Sequence, residues 1–71
     1  MEDKKTFGAY ILCRRRELGL TQKAFAQKLY VTESAVSKWE RGATLPDAEM
    51  LYVICRVLHV SADYLLGIED Y

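Results

Sequence analysis

Polar side chains lie on one side of a predicted helix within the stretch VTESAVSKWERG, residues 31–42. The stretch opens with the hydroxyl residue Thr32 and has no Gly or Pro before Gly42, which predicts one short helix with a cap at each end. Ala, Val and Trp at helical spacing form its apolar side. The opposite side carries groups that can donate and accept hydrogen bonds. The residues of this polar side are Glu33, Ser34, Ser37, Lys38 and Arg41.

Other chemically active residue types are not arranged for catalysis or metal binding. His59, Ser61 and Asp63 are the residue types of a hydrolase triad, but they flank one helix boundary without a nucleophile elbow or oxyanion site. Cys13 and Cys55 form no C-x-x-C pair and, with one histidine, cannot complete a four-ligand metal site. We therefore expect no catalytic residue, no metal and no cofactor. The two thiols are interpreted as buried or half-buried groups in a reducing cytoplasm.

Short helices elsewhere in the chain must position this polar face. Apolar spacing, hydroxyl or Asp caps and Gly stops predict helices over residues 6–18, 21–29, 32–42, 47–58 and 61–67. There is no strand pattern, so the expected fold class is all-α. None of these helices is long enough to be stable alone, and tertiary packing must hold them. We expect Trp39 to belong to the core rather than to form a stacking platform for bases.

Length and charge limit the class of protein. The 71 residues predict a single domain over 1–71, with no signal peptide or membrane span, and hence a soluble cytoplasmic protein. The net charge is zero, but residues 1–41 carry a net charge of +4 and residues 42–71 a net charge of −4. If these segments fold to opposite sides, one surface attracts phosphate although the whole chain is neutral.

The second and third helices form a pair separated by only a few residues, with the small Ala26 where they must approach. Such a pair is a helix-turn-helix, whose second helix is exposed on the surface of the domain. The segment QKAFAQKLYVTESAVSKWER, residues 22–41, resembles the Cro/CI-type helix-turn-helix family of lambdoid phage repressors and related bacterial regulators. The matching apolar positions are Phe25, Leu29, Val31, Val36 and Trp39. The segments GLTQ, SKWERG, PD and VSADYLLG extend the resemblance over about residues 7–67.

The resemblance implies a lambda-repressor-like DNA-binding domain that reads double-stranded DNA by sequence. The implied base-reading residues are Thr32, Glu33, Ser34 and Lys38. Lys38 can donate to guanine, Ser34 can donate or accept, Glu33 can accept from cytosine, and the Thr32 methyl group can contact thymine. For Glu33 a second interpretation stays open, namely that its carboxylate only stabilises the positive end of the helix dipole.

The same resemblance implies contacts to the DNA backbone. Gln22 would place its amide near a phosphate, while the N-terminus of the second helix directs backbone N–H groups at the same strand. Thr21 and Lys23 lie at that helix end, and Ser37 and Arg41 are nearer the backbone than the bases. Lys28 is the less secure case, because it can equally be a solvated charge.

Two further features of the scaffold follow from the resemblance. Arg15, within the run RRRE, matches an arginine that pairs with the glutamate of the third helix, here Glu40, and this ion pair would be structural. Tyr30 departs from the family, which usually has Gly in the turn where positive φ is needed. We expect the Tyr30 ring to pack outward over the first or fourth helix.

A transcriptional regulator, most simply a repressor, would act as a homodimer on a palindromic operator, because one such domain spans few base pairs. The expected interface contains Tyr64, Leu65 and Tyr71 together with the GATLPD loop. Alternatively, Leu65 and Leu66 pack internally and dimers form only on DNA. The competing function is an antitoxin-type module that binds a protein partner and regulates its own operon.

Overall fold

A computed structural model describes residues 6–68 as five α-helices joined by short connections, with no β-strand in that range. The helices are α1 (Phe7–Glu17), α2 (Gln22–Leu29), α3 (Glu33–Arg41), α4 (Ala48–Leu58) and α5 (Ala62–Leu65). The prediction of an all-α fold with five short helices is therefore confirmed. In the described part of the chain, none of the helices has the length and apolar character needed to cross a membrane.

Each helix begins after a residue whose side-chain oxygen accepts a hydrogen bond from a backbone N–H three residues later. Such a cap satisfies one of the N–H groups that the first turn leaves without a helical partner. The accepting atoms and their distances to the donor nitrogens are Thr6 Oγ1 (3.1 Å), Thr21 Oγ1 (3.0 Å), Thr32 Oγ1 (3.1 Å), Asp47 Oδ1 (2.8 Å) and Ser61 Oγ (3.0 Å). The helix starts predicted from these hydroxyl and Asp residues are confirmed.

One apolar cluster holds the helices together, and every helix contributes to it. Its buried members are Ile11, Phe25, Ala26, Leu29, Val36, Trp39, Ile54, Leu58 and Leu65. The helix α1 packs against α3, α4 and α5, while α2 packs against α3 and α4. Trp39 is only 7% exposed, which confirms its assignment to the core and excludes it as a base-stacking platform.

Gly8 lets α1 approach α3 more closely than any other residue type would. A Cβ atom built at Gly8 would overlap the carbonyl oxygen of Trp39 and lie 2.6 Å from the carbonyl oxygen of Glu40. These contacts are with backbone atoms, which cannot rotate away as a flexible side chain can. Sequence patterning did not single out Gly8, because a glycine inside a helix ordinarily only weakens it.

The basic run of residues 14–16 is divided among three environments. Arg14 donates from Nε to the carbonyl oxygen of Leu58 at 2.9 Å, which satisfies a free carbonyl at the C-terminal end of α4. Arg15 is buried, and Arg16 is exposed. Consecutive residues on a helix point in different directions, so the run is not a continuous basic patch.

Tyr30 ends α2 in the left-handed conformation, with φ of 59° and ψ of 41°. Its N–H donates to the carbonyl of Gln27 at 3.2 Å, as expected for a helix C-cap in this region. The turn therefore keeps the geometry that usually favours Gly. The expectation that its ring packs over α1 or α4 is wrong, since Tyr30 is 95% exposed. Packing within the monomer does not offset the backbone strain.

Replacing Tyr30 with Gly is expected to stabilise the domain by about 1 kcal/mol, because only Gly adopts this conformation without a Cβ penalty. The midpoint of urea unfolding measures the change. Tyr30→Ala is the matched control, since it removes the ring but keeps a Cβ, and its stability should stay within about 0.5 kcal/mol of the native chain. A large loss of stability in Tyr30→Ala would instead mean that the ring packs against the domain.

Candidate functional site

The exposed face of α3 carries the polar groups that the sequence assigned to it. Thr32, Glu33, Ser34 and Lys38 are all exposed, whereas Val36 is fully buried in the core. Helix periodicity explains the exposure of Ser34 and Lys38, because residues four apart share a face. Thr32 is the N-cap and Glu33 lies in the first turn, and their exposure comes from this position at the helix end. The structure thus brings the four predicted base-reading residues together on the surface of one helix.

Capping and dipole interactions fix the N-terminal end of this face. The Thr32 hydroxyl oxygen accepts the N–H of Ala35 at 3.1 Å, so its orientation is set by the helix itself. Glu33 lies in the first turn, where a carboxylate is stabilised by the helix dipole. The structural interpretation of Glu33 and a base-contacting role are therefore compatible.

The C-terminal half of the same face holds Ser37 and Arg41 in contact with each other. Arg41 donates from Nε to Ser37 Oγ at 3.3 Å. The Arg41 side chain is exposed, and its guanidinium group has further N–H donors. These groups are donors without any acceptor function, which suits them to anionic oxygens.

The N-terminus of α2 forms the other part of the candidate site. Thr21 caps the helix through its hydroxyl oxygen, 3.0 Å from the nitrogen of Ala24. Lys23 is exposed, as is Lys28 one and a half turns further along the helix. A helix N-terminus with its free N–H groups, flanked by a lysine, attracts anions. The exposure of Lys28 fits its interpretation as a solvated charge.

The Gln22 amide, which the resemblance places near a phosphate, is already hydrogen bonded inside the protein. Its Nε2 donates to Glu40 Oε1 at 2.8 Å, although the residue is only half-buried. The sequence pattern did not predict this bond. It depends on how α2 and α3 cross, and residues 18 positions apart have no local spacing rule that pairs them.

Glu40 also binds Arg15, and this ion pair is almost completely buried. Arg15 Nε and Nη2 donate to Glu40 Oε2 and Oε1 at 2.6 and 3.1 Å, and the two side chains are 8% and 4% exposed. Arg15 Nη1 donates further to the carbonyl of Leu20 at 2.8 Å. Within residues 6–68 no buried side-chain nitrogen or oxygen lacks a partner, so this network is satisfied.

The cysteines and the histidine have no arrangement suited to metal binding. Cys13 and Cys55 form no disulfide and are half-buried, and burial raises the pKa of the Cys55 thiol, which disfavours its reactive thiolate. The described residues contain no group of three or more metal-ligating side chains. His59 ends α4 with φ of 58° and Ser61 caps α5, so the triad residue types are a helix end followed by a cap.

The residues expected at a dimer interface fall into three different situations. Leu65 corrects the expectation, because its side chain is fully buried in the core and has no surface to offer a second chain. Tyr64 is half-buried, with its ring centroid 5.1 Å from that of Tyr10. Tyr71 lies outside the described residues. The exposed apolar side chains of this region are Leu66 and Ile68, at 53% and 68% exposure.

Comparison with known families identifies the fold of this site. A sequence profile described as helix-turn-helix matches residues 13–65, which span α2, α3, α4 and α5 together with the C-terminal part of α1. The chain belongs to this helix-turn-helix family. The family resemblance seen in the sequence is therefore confirmed, and the domain carries its helix-turn-helix at α2 and α3.

Among full-length relatives, the helix-turn-helix domain is 39% identical over 72 residues to the HTH-type transcriptional regulator DicA of Escherichia coli, covering 99% of this chain and 53% of DicA. It is 39% identical over 59 residues to the repressor protein C2 of Salmonella phage P22, covering 83% of this chain and 27% of that repressor. The chain thus spans about half of the first relative and about a quarter of the second. Both are named as a regulator or repressor and not as enzymes, in agreement with the expectation for this domain.

Solved structures agree with the family assignment. The P22 c2 repressor in complex with a synthetic operator superposes with a TM-score of 0.86 at 35% identity, covering 92% of this chain and 98% of that chain. SinR in complex with DNA gives a TM-score of 0.78 at 33% identity, covering 84% and 97% of the two chains. The helix-turn-helix domain therefore has the fold of proteins that were solved bound to DNA.

Proposed function

We propose that this helix-turn-helix domain binds double-stranded DNA by sequence and acts as a transcriptional regulator, most simply a repressor. The observation that carries the proposal is the exposed polar face of α3, set on a scaffold that matches the operator-bound P22 c2 repressor. A helix of this kind fits the major groove, where each base pair presents a distinct pattern of donors and acceptors.

In this arrangement the exposed side chains of α3 and its N-cap, from Thr32 to Lys38, read base edges. Lys38 donates to guanine, Ser34 donates or accepts, Glu33 accepts from cytosine, and the Thr32 methyl group contacts thymine. All four side chains are exposed within seven residues of the chain, which supports their contact with one stretch of groove. Glu33 acts mainly as a discriminator, because a carboxylate near phosphates is tolerated only where a base donor offsets the repulsion.

Phosphate contacts position α3 in the groove and carry no sequence information. We assign Gln22, Thr21 and Lys23 to the strand that faces the N-terminus of α2, where backbone N–H groups add to the attraction for anions. Ser37 and Arg41 lie further along α3 and contact the backbone at the other end of the helix. The hydrogen bond between these two side chains keeps them next to each other, so both are available to the same part of the backbone.

Two copies of the domain on half-sites about one helical turn apart give the specificity that one copy lacks. We therefore propose a homodimer on a palindromic operator. Because Leu65 is buried, the C-terminal part of the interface uses Tyr64 and the exposed Leu66 and Ile68. The exposed Leu45 in the loop between α3 and α4 adds apolar surface to the interface.

Selection of bound duplexes from a random DNA pool tests the function. We expect an enriched motif with two inverted half-sites whose centres are about 10 base pairs, or one helical turn, apart. Enrichment of a single unrepeated half-site would argue against the dimer while leaving base reading intact. Failure to enrich any sequence would contradict sequence-specific binding.

Replacing Lys38 with Ala is expected to weaken binding to the selected duplex by about 1 to 3 kcal/mol, the usual contribution of a good base contact. The loss should be accompanied by relaxed preference at one base pair, measured by titration against single-base variants. Lys28→Ala, which removes an exposed lysine of α2 rather than of α3, is the matched control and should leave the base preference unchanged. If Lys38→Ala keeps the full preference, α3 is not the reader.

A further inference from the structure

We propose that Glu40 is a positioning residue for DNA binding, which orients the amide of Gln22 toward the phosphate backbone. The inference rests on the proposed function, and it goes beyond it by giving the buried ion pair a role in recognition. The deciding geometry is the shared carboxylate, since Glu40 accepts from Arg15 and from Gln22 Nε2 at the same time. One buried residue therefore connects α1, the start of α2 and the helix that reads bases.

The carboxylate determines which way the Gln22 amide faces. An ionised carboxylate is only an acceptor, so the nitrogen of the amide, and not its oxygen, must lie against Glu40. Phosphate oxygens are also only acceptors. A contact from Gln22 to the DNA backbone must then use the second N–H of the same nitrogen, which Glu40 holds in place. Without Glu40, the long Gln side chain samples several rotamers and both amide orientations.

Arg15 makes this arrangement compatible with DNA. A lone carboxylate beside a phosphate contact would repel the DNA backbone. Glu40, however, accepts two hydrogen bonds from the Arg15 guanidinium, at 2.6 and 3.1 Å, and the positive charge of Arg15 offsets its negative charge. The Glu40 side chain is 4% exposed, so it does not face the phosphate directly. Arg15 also binds the Leu20 carbonyl, one residue before the cap of α2, and thereby fixes the backbone that leads to Gln22.

Glu40 is expected to raise DNA affinity by preorganising the Gln22 side chain. Immobilising one rotamer-rich side chain during binding ordinarily weakens affinity by a factor of roughly two to ten, and a side chain that is already held avoids this loss. Gln22 should thus contribute more to DNA affinity when Glu40 is present than when it is absent. A purely structural role of the ion pair predicts that the contribution of Gln22 is the same in both cases.

A double-mutant cycle distinguishes these two outcomes. The Gln22→Ala change is made in the native chain and in an Arg15→Met/Glu40→Leu background, which replaces the ion pair by apolar side chains and is expected to stay folded. Affinity is measured by fluorescence anisotropy on a labelled duplex obtained from the random-pool selection. Gln27→Ala, an exposed glutamine on the same helix, is the matched control.

We expect Gln22→Ala to weaken binding roughly five- to tenfold in the native chain and less than about twofold in the apolar background. An equal loss in both backgrounds would overturn the positioning role while leaving DNA binding itself established. Absence of binding by the native chain would instead reject the proposed function.

A second measurement covers the case in which the apolar background does not fold. In the native chain free of DNA, NMR relaxation of the Gln22 side-chain amide should show an ordered group, in contrast to the mobile amide of exposed Gln27. Equal mobility of the two amides would overturn the proposal without any variant. This NMR measurement needs no DNA, so it tests the positioning of Gln22 independently of the proposed function.

Discussion

Replacing Glu40 with Ala is expected to destabilise the domain by about 3 to 5 kcal/mol, because the Arg15 guanidinium would remain buried without its anion. The change also removes the acceptor of Gln22 and opens a space between α1 and α3. A domain of this size has a total stability of about 4 to 10 kcal/mol. Much of the protein should therefore be unfolded near physiological temperature, as measured by urea denaturation followed by circular dichroism.

The surface ion pair between Arg14 and Glu17 supplies the matched control. Its nitrogen–oxygen distance is 3.1 Å, but the side chains are 28% and 60% exposed. Solvent screens such a pair, so Glu17→Ala should change stability by less than about 1 kcal/mol. If Glu40→Ala were as mild as Glu17→Ala, the buried network would not be holding α1 against α3.

Replacing Gly8 with Ala is expected to destabilise the domain by about 3 kcal/mol, the upper part of the range for overpacked sites. The added methyl group would overlap the carbonyl oxygen of Trp39 and press on Glu40, whose carbonyl carbon would be 2.8 Å away. Both helices would have to separate, which would loosen the packing around Trp39. Chemical denaturation of the variant gives the change in the free energy of unfolding.

The sign of this effect is itself informative. Helix propensity favours Ala over Gly by about 1 kcal/mol and would predict a more stable variant. Gly42→Ala is the matched control, because a Cβ there meets no atom within 4 Å and adds only the strain of φ at +80°. We expect that control to lose about 1 kcal/mol. A Gly8→Ala variant as stable as the native chain would refute the close approach of α1 and α3.

The features that the sequence could predict are those with local causes. A Thr, Asp or Ser cap acts within four residues, and the apolar spacing of a single helix decides which of its faces is buried. These rules were sufficient for the boundaries of α3 and for the exposure of its polar face. The positive φ at Tyr30 could also be anticipated, but only through the family resemblance, since the family usually has Gly at this place in the turn.

The features that the sequence could not predict depend on where helices cross. Gly8 faces the backbone of α3, Arg14 reaches the last carbonyl of α4, and Gln22 binds Glu40. None of these partners lies within one helical turn of the other in the chain. The sequence likewise could not predict that Leu65 is buried while Leu66 is exposed. The helix α5 has only four residues, which is too few for the spacing of apolar residues to define a buried face.

The contact between α1 and α5 has a consequence for how the chain folds during synthesis. Tyr10 and Tyr64 pack ring against ring, and Leu65 completes the core that Ile11 begins. A nascent chain still lacking α5 therefore cannot close that core, and its apolar side chains stay open to solvent and to chaperones. We expect the domain to acquire its native structure only once Leu65 has left the ribosome, in a single late step rather than helix by helix.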